Sequence, residues 1–87
     1  MAGFIIRTVN STFATRVEFP DILELDIALA HGVKSGIMIA TDEISNDVSV
    51  ATVEVIIENA SGEALRRSAV TISVAPLLTD MATSYKS

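Results

Sequence analysis

One stretch of this chain, from Ile22 to about Ser45, spaces its apolar residues with a helical period, and segments alternating with a period of two flank it on both sides. Ile22, Leu25, Leu29, Val33, Gly36, Ile37, Ala40 and Ile44 make the stripe. A lone amphipathic helix has to bury that stripe against another layer, and here the flanking strands are the partner the chain offers. The expectation is an α+β domain of two layers, a sheet with one long helix on one face. Eighty-seven residues suffice for a single domain spanning 1–87, with an ordered core of about 4–74 and a frayed tail over 75–87.

Four strands complete the pattern. Phe4 to Val9 and Thr12 to Phe19 are rich in β-branched and aromatic residues, and Asn10-Ser11 between them is a candidate two-residue hairpin. In the second strand Phe13, Thr15, Val17 and Phe19 share one face, and Ala14, Arg16 and Glu18 the other. Pro20-Asp21 ends that strand. Asp21, followed three residues later by Glu24, predicts a helix cap with both carboxylates at the positive end of the helix dipole. Val48 to Asn59 turns β again, Asn59-Ala60-Ser61-Gly62 is a turn, and Glu63 to Val74 returns as the fourth strand. The helix reverses the chain, so placing the third strand beside the first gives a mainly antiparallel sheet in order 2-1-3-4. The competing order 1-2-3-4 needs one parallel pair.

Two segments of this ββαββ chain carry a resemblance. Val17-Glu18-Phe19-Pro20-Asp21-Ile22 is similar to the apolar-Glu-apolar-Pro-Asp-apolar step in a family of small bacterial domains of unknown function. Val53-Glu54-Val55 with the Asn59-Ala60-Ser61-Gly62 turn resembles that family's valine-rich strand and polar turn. The first hairpin departs from the family in lacking an Asp/Gly turn, and the last strand and tail are longer. The resemblance implies the ββαββ fold and a cytoplasmic setting, and it transfers no catalytic residue.

Composition narrows the chemistry. Eleven acidic against six basic residues give a net charge of −5, which opposes binding to a phosphate backbone. Without cysteine there is neither a disulfide scaffold nor a thiolate metal site. The apolar runs are too short to span a bilayer, and Met1 to Arg7 lacks the layout of a secretion signal. These readings predict no cofactor, no metal, no nucleic acid and no membrane partner.

Each reactive candidate has a plainer reading. His31, the one histidine, could serve as a general base, yet it falls on the polar side of the helix beside Glu24, Ser35 and Asp42, as a solvated histidine does. Asp42, Glu43 and Asp47 lack the alternating ligand spacing and the glycine of a calcium loop. Arg66-Arg67 is the one basic pair, suited to cross-strand pairing with Glu54, Glu58 or Glu63. Asn10-Ser11-Thr12 and Asn59-Ala60-Ser61 match a glycosylation sequon and read here as turn chemistry. Asp26 lies inside the expected apolar stripe, where a carboxylate has to escape sideways or pair with Arg7 or Arg16.

Apolar residues exceed what one helix-on-sheet contact uses. Leu23, Ile27, Ala30 and Met38 form a second row on the helix, and Ala28, Gly32, Gly36 and Ala40 form a ridge of small residues at spacing four. That ridge fits either tight packing on the sheet or a helix contact between subunits. With Phe4 and Ile6 toward the helix, Ile5, Val9, Ile56 and Leu65 fall on the far face. Leu23, Ile27, Met38, Ile5, Val9, Ile56 and Leu65 are therefore the expected interface of a homo-oligomer, a dimer being the commonest closed form. The function expected is a non-catalytic protein-interaction or structural module. The alternative is a small acidic regulatory partner of a basic protein, in the manner of an inhibitor or antitoxin.

Overall fold

The computed structural model describes residues 3–12, 14–45 and 49–75. Expectations placed on Phe13, Asp47, Val48 and the tail from residue 76 lie outside these described residues. Strands β1 (Phe4–Val9) and β2 (Ala14–Phe19) precede helix α1 (Leu25–Ile44), and β3 (Val50–Asn59) and β4 (Ala64–Ser73) follow it. The sheet runs β2-β1-β3-β4 with every neighbouring pair antiparallel. This is the expected two-layer α+β fold and the favoured order; 1-2-3-4 is excluded.

Cross-strand register fixes which residues meet the helix. Phe4 opposes Phe19, Ile6 lies between Val17 and Ile57, and Thr8 between Thr15 and Val55. Val53 opposes Val70 and Ala51 opposes Ile72, which completes the face under α1. Ile6, Ala28, Val55 and Ile57 are buried at one end of that layer, and Ala40, Ala51 and Val53 at the other.

The helix contacts the sheet along a line that overlaps the expected stripe only in part, at Gly36 and Ala40. Its buried positions are Ala28, Gly32, Gly36 and Ala40, the small-residue ridge. Leu25, Leu29, Val33, Ile39 and Ile44 are half-buried flanks, and Ile37, expected in the core, is exposed. A bulky central row would hold the helix away from the β-branched rows of β3. A row without side chains beyond Cβ lets the backbone settle between them, and the larger residues then fill the sides. Asp26 is solved by the same shift: two residues from Ala28 is about 200° around the wheel, and its side chain points to solvent.

Both helix entry and first hairpin differ from expectation. Asp21 is not the cap. The N-cap is Glu24, extended at φ −122° and ψ 136°, with no side-chain capping bond. Pro20-Asp21 instead make a turn closed by the Ile22 N–H on the Phe19 carbonyl at 3.4 Å. Residues 22–24 then lead from the sheet to the helix layer, with Glu24 extended. In the hairpin, Val9 pairs with Ala14, so the connection is longer than the two residues expected. No glycine is present to take the positive φ of a two-residue turn. Asn10 supplies its own acceptor: Oδ1 takes the Thr12 N–H at 3.0 Å and the Thr12 hydroxyl at 3.1 Å.

Asn59 does the same at the second hairpin. Its Oδ1 accepts from the Ser61 N–H at 3.1 Å, the Ser61 hydroxyl at 2.8 Å and the Glu63 N–H at 2.9 Å. Gly62 completes the turn at φ +92°, a conformation that favours glycine. Both sequon-like triplets thus serve as local hydrogen-bonded turns. No helix among the described residues is long and apolar enough to cross a membrane.

Candidate functional site

Helix α1 lies over β3, with β4 and β1 at its flanks, and does not reach over β2. Four strands are wider than one helix can cover, and the small-residue ridge seats this one on the β3–β4 side. The result is an open groove of about 280 Å³ along β2. Ile6, Thr8, Thr15, Val17 and Phe19 make its floor, and Ser35, Met38 and Ile39 make its helix wall. Val17 is 48% exposed and Met38 65%. The Thr8 and Thr15 hydroxyls hydrogen-bond to each other in the floor, so its polar atoms satisfy one another.

His31 stands on the same wall, its ring centroid 5.7 Å from that of Phe19 and tilted by 31°. The spacing of four places Ile27 one turn before His31 on that side. Leu23, Ile27 and Met38, the helix part of the expected interface, are all exposed, Leu23 at 70%. A second hollow, about 190 Å³, lies at the end of the sheet where Gly3, at φ +109°, passes Pro20.

The sheet part of the expected interface requires a correction. Ile5 and Ile56 do face away from the helix, but they are 4% and 7% exposed and offer no open apolar patch. Ile5 lies directly between Glu18 and Glu58, and Ile56 between Arg7 and Arg67. Those long side chains cover the isoleucines with their stems. Val9 and Leu65 are half-buried, and Leu65 sits beside the irregular register at Ile57/Glu58.

Ion pairs organise that far face. Arg7 Nη1 donates to Glu58 Oε2 at 2.9 Å, and the Glu58 side chain is nearly buried. Arg16 Nη1 donates to Glu18 Oε2 at 3.2 Å along β2. Arg67 donates through Nε at 2.9 Å and through Nη2 to Glu54 Oε2. One of the partners expected for Arg66-Arg67 is thus found, and Arg66 itself donates to the Leu65 carbonyl at 2.9 Å. Arg7 and Arg16 are engaged by these glutamates, not by Asp26. At the helix end Glu43 accepts from Asn10 Nδ2 at 3.4 Å. No group of three or more metal-ligating side chains occurs among the described residues.

The groove and the far face were not equally visible in the sequence. The charge cover was legible in principle: on β3, Glu54 and Glu58 bracket Ile56 at spacing two, and Arg7 and Arg67 fall opposite once the strand order is known. The groove depends on the lateral seat of the helix, which follows from the ridge. No protein-family model, curated protein or solved structure matches this chain.

Proposed function

We propose that this chain is a non-catalytic interaction module that works as a homo-oligomer. The observation that carries the reading is the uncovered β2: an apolar groove lies beside a sheet edge that has no strand on its outer side among the described residues. Exposed sheet edges invite another strand, and contiguous apolar surface marks partner sites. The arrangement offers hydrophobic contact and backbone pairing, and the two threonine hydroxyls of the floor are occupied with each other. Sedimentation equilibrium at tens of micromolar tests it. A mass at a multiple of 9.2 kDa is expected, and a monomer mass overturns the reading.

A second reading, an acidic partner of a basic protein, draws on charge placement. Arginines and glutamates balance on the far face, while the helix and the turn before it carry Asp21, Glu24, Asp26, Asp42 and Glu43 against Lys34. Salt-sensitive co-elution with a basic protein encoded beside this one, with no self-association, would favour it over the first.

A further inference from the structure

We infer that two copies of this chain join through their β2 edges, antiparallel about Val17, to form one eight-stranded sheet. The inference rests on the homo-oligomer reading and specifies its surface. Strand β2 reads Ala14-Thr15-Arg16-Val17-Glu18-Phe19. In an antiparallel pair related by a twofold axis, opposite residues share a face, so the axis has to pass through a residue and not between two.

Three registers near the middle of the strand meet that condition, and charge separates them. An axis through Arg16 sets the two Arg16 side chains opposite each other, and an axis through Glu18 does the same for the glutamates. An axis through Val17 sets Arg16 opposite the partner's Glu18 and Glu18 opposite the partner's Arg16. Like charges directly opposite are unfavourable and opposite charges favourable. Within one strand these side chains already reach each other at 3.2 Å across two residues, a backbone span of about 6.6 Å. Directly opposite residues are closer, about 4.5–5.5 Å between Cα atoms. Both side chains are more than half exposed, so nothing among the described residues blocks the exchange.

The other face agrees. Val17 meets the partner's Val17, and Thr15 meets the partner's Phe19, which joins the two groove floors and covers the exposed valine. The twofold axis stands perpendicular to the sheet, so both helices lie on the same side. The β4 edge is a poorer candidate for self-pairing, because its charged residues are Arg66 and Arg67, with no acid on the strand to meet them. Pairing β2 of one copy with β4 of the next would be head-to-tail and would propagate without closing.

Charge reversal with sedimentation velocity over a dilution series tests the register. Arg16→Glu and Glu18→Arg should each raise the dimer Kd by about tenfold or more, because every charged pair across the axis becomes repulsive. An equimolar mixture of the two variants should form a heterodimer near wild-type affinity, since each then supplies the charge the other needs. The double variant R16E/E18R should also recover. In addition, Val17→Cys, the sole thiol in the chain, should crosslink to itself under mild oxidation, whereas Ile37→Cys should not. A wild-type dimer unaffected by either reversal, with no heterodimer preference, overturns this register and leaves the homo-oligomer reading standing. A monomeric wild type overturns both, and assigns the edge to a segment of the same chain or to another protein.

Discussion

A β-carbon placed on Gly32 would lie 2.6 Å from Val55 Cγ1, and it would also press on Ile57 Cδ1 and Ile6 Cγ2 at 3.1 and 3.3 Å. At Gly36 the corresponding approaches are milder, 3.0 Å to Val55 Cγ2 and 3.1 Å to Val70 Cγ2. Glycine inside a helix costs about 1 kcal/mol against alanine, so these two positions keep it for the closeness of the sheet. Gly32→Ala regains that propensity but forces side chains of a close-packed core to move, at about 1–3 kcal/mol. The net effect expected is destabilisation by up to about 2 kcal/mol, with Gly36→Ala clearly milder. Urea denaturation of both variants checks the ranking.

The helix start gives a contrasting pair. Because Glu24 is the N-cap and Asp21 lies in the preceding turn, Asp21→Ala should shift stability by less than about 0.5 kcal/mol. Asn59→Ala removes an acceptor shared by three donors at the second hairpin and should cost about 1–2 kcal/mol. Equal denaturation midpoints for the two variants would contradict this assignment.

Glu58 and Glu18 both pair with arginine on the far face, but in different settings. The Glu58 side chain is nearly buried and Glu18 is two-thirds exposed. Glu58→Ala should cost about 1–3 kcal/mol, the range for a hydrogen bond to a charged group, held down because Arg7 can still reach water. Glu18→Ala should change monomer stability by less than about 0.5 kcal/mol, as exposed pairs do. Thermal melts of each variant at dilutions where the chain is monomeric separate the two.

What the sequence disclosed depended on how local the determinant is. Strand alternation at Val17 and Phe19, the turn at Asn59 to Gly62 and the helical period after Leu25 are local patterns, and with the reversal of direction at the helix they lead to the strand order. The line of contact on the helix is not local. Counting large apolar residues places Ile37 in the core, yet the sheet selects the row without bulk, and Ile37 ends at the surface. Ile5 and Ile56 similarly look like surplus apolar surface until the register brings Glu18, Glu58, Arg7 and Arg67 over them. Capping failed for a third reason: Asp21 has the right chemistry for a cap, but it is used in the turn that leaves the strand, and the helix begins only after Glu24.

Nucleic-acid binding should be absent. Arg7, Arg16 and Arg67 are committed to glutamates, and Lys34 stands on a helix whose ends are acidic. Counterion release needs clustered free cations, which this distribution does not provide among the described residues. Fluorescence anisotropy with a random duplex at ~150 mM salt should show no binding, and micromolar affinity that falls with added salt would contradict the charge assignment.

The last prediction concerns the sign of charge tolerated at Ile5. This residue is buried on the far face and directly opposes Glu18 on one side and Glu58 on the other. Ile5→Asp would desolvate a carboxylate and set it against two others, so both effects act in the same direction. A loss of more than about 3 kcal/mol is expected, enough to unfold a large fraction of a domain this small. Ile5→Lys loses the same apolar burial, but its long stem can cover the strand and carry the ammonium to the two glutamates. It should therefore be the milder substitution by at least about 1 kcal/mol. Ile27→Asp, on the exposed helix wall, should change monomer stability by less than about 0.5 kcal/mol. Chemical denaturation of the three variants gives the order directly. If Ile5→Asp proves as stable as Ile5→Lys, the glutamates do not sit over Ile5, and the charge cover assigned to the far face is wrong.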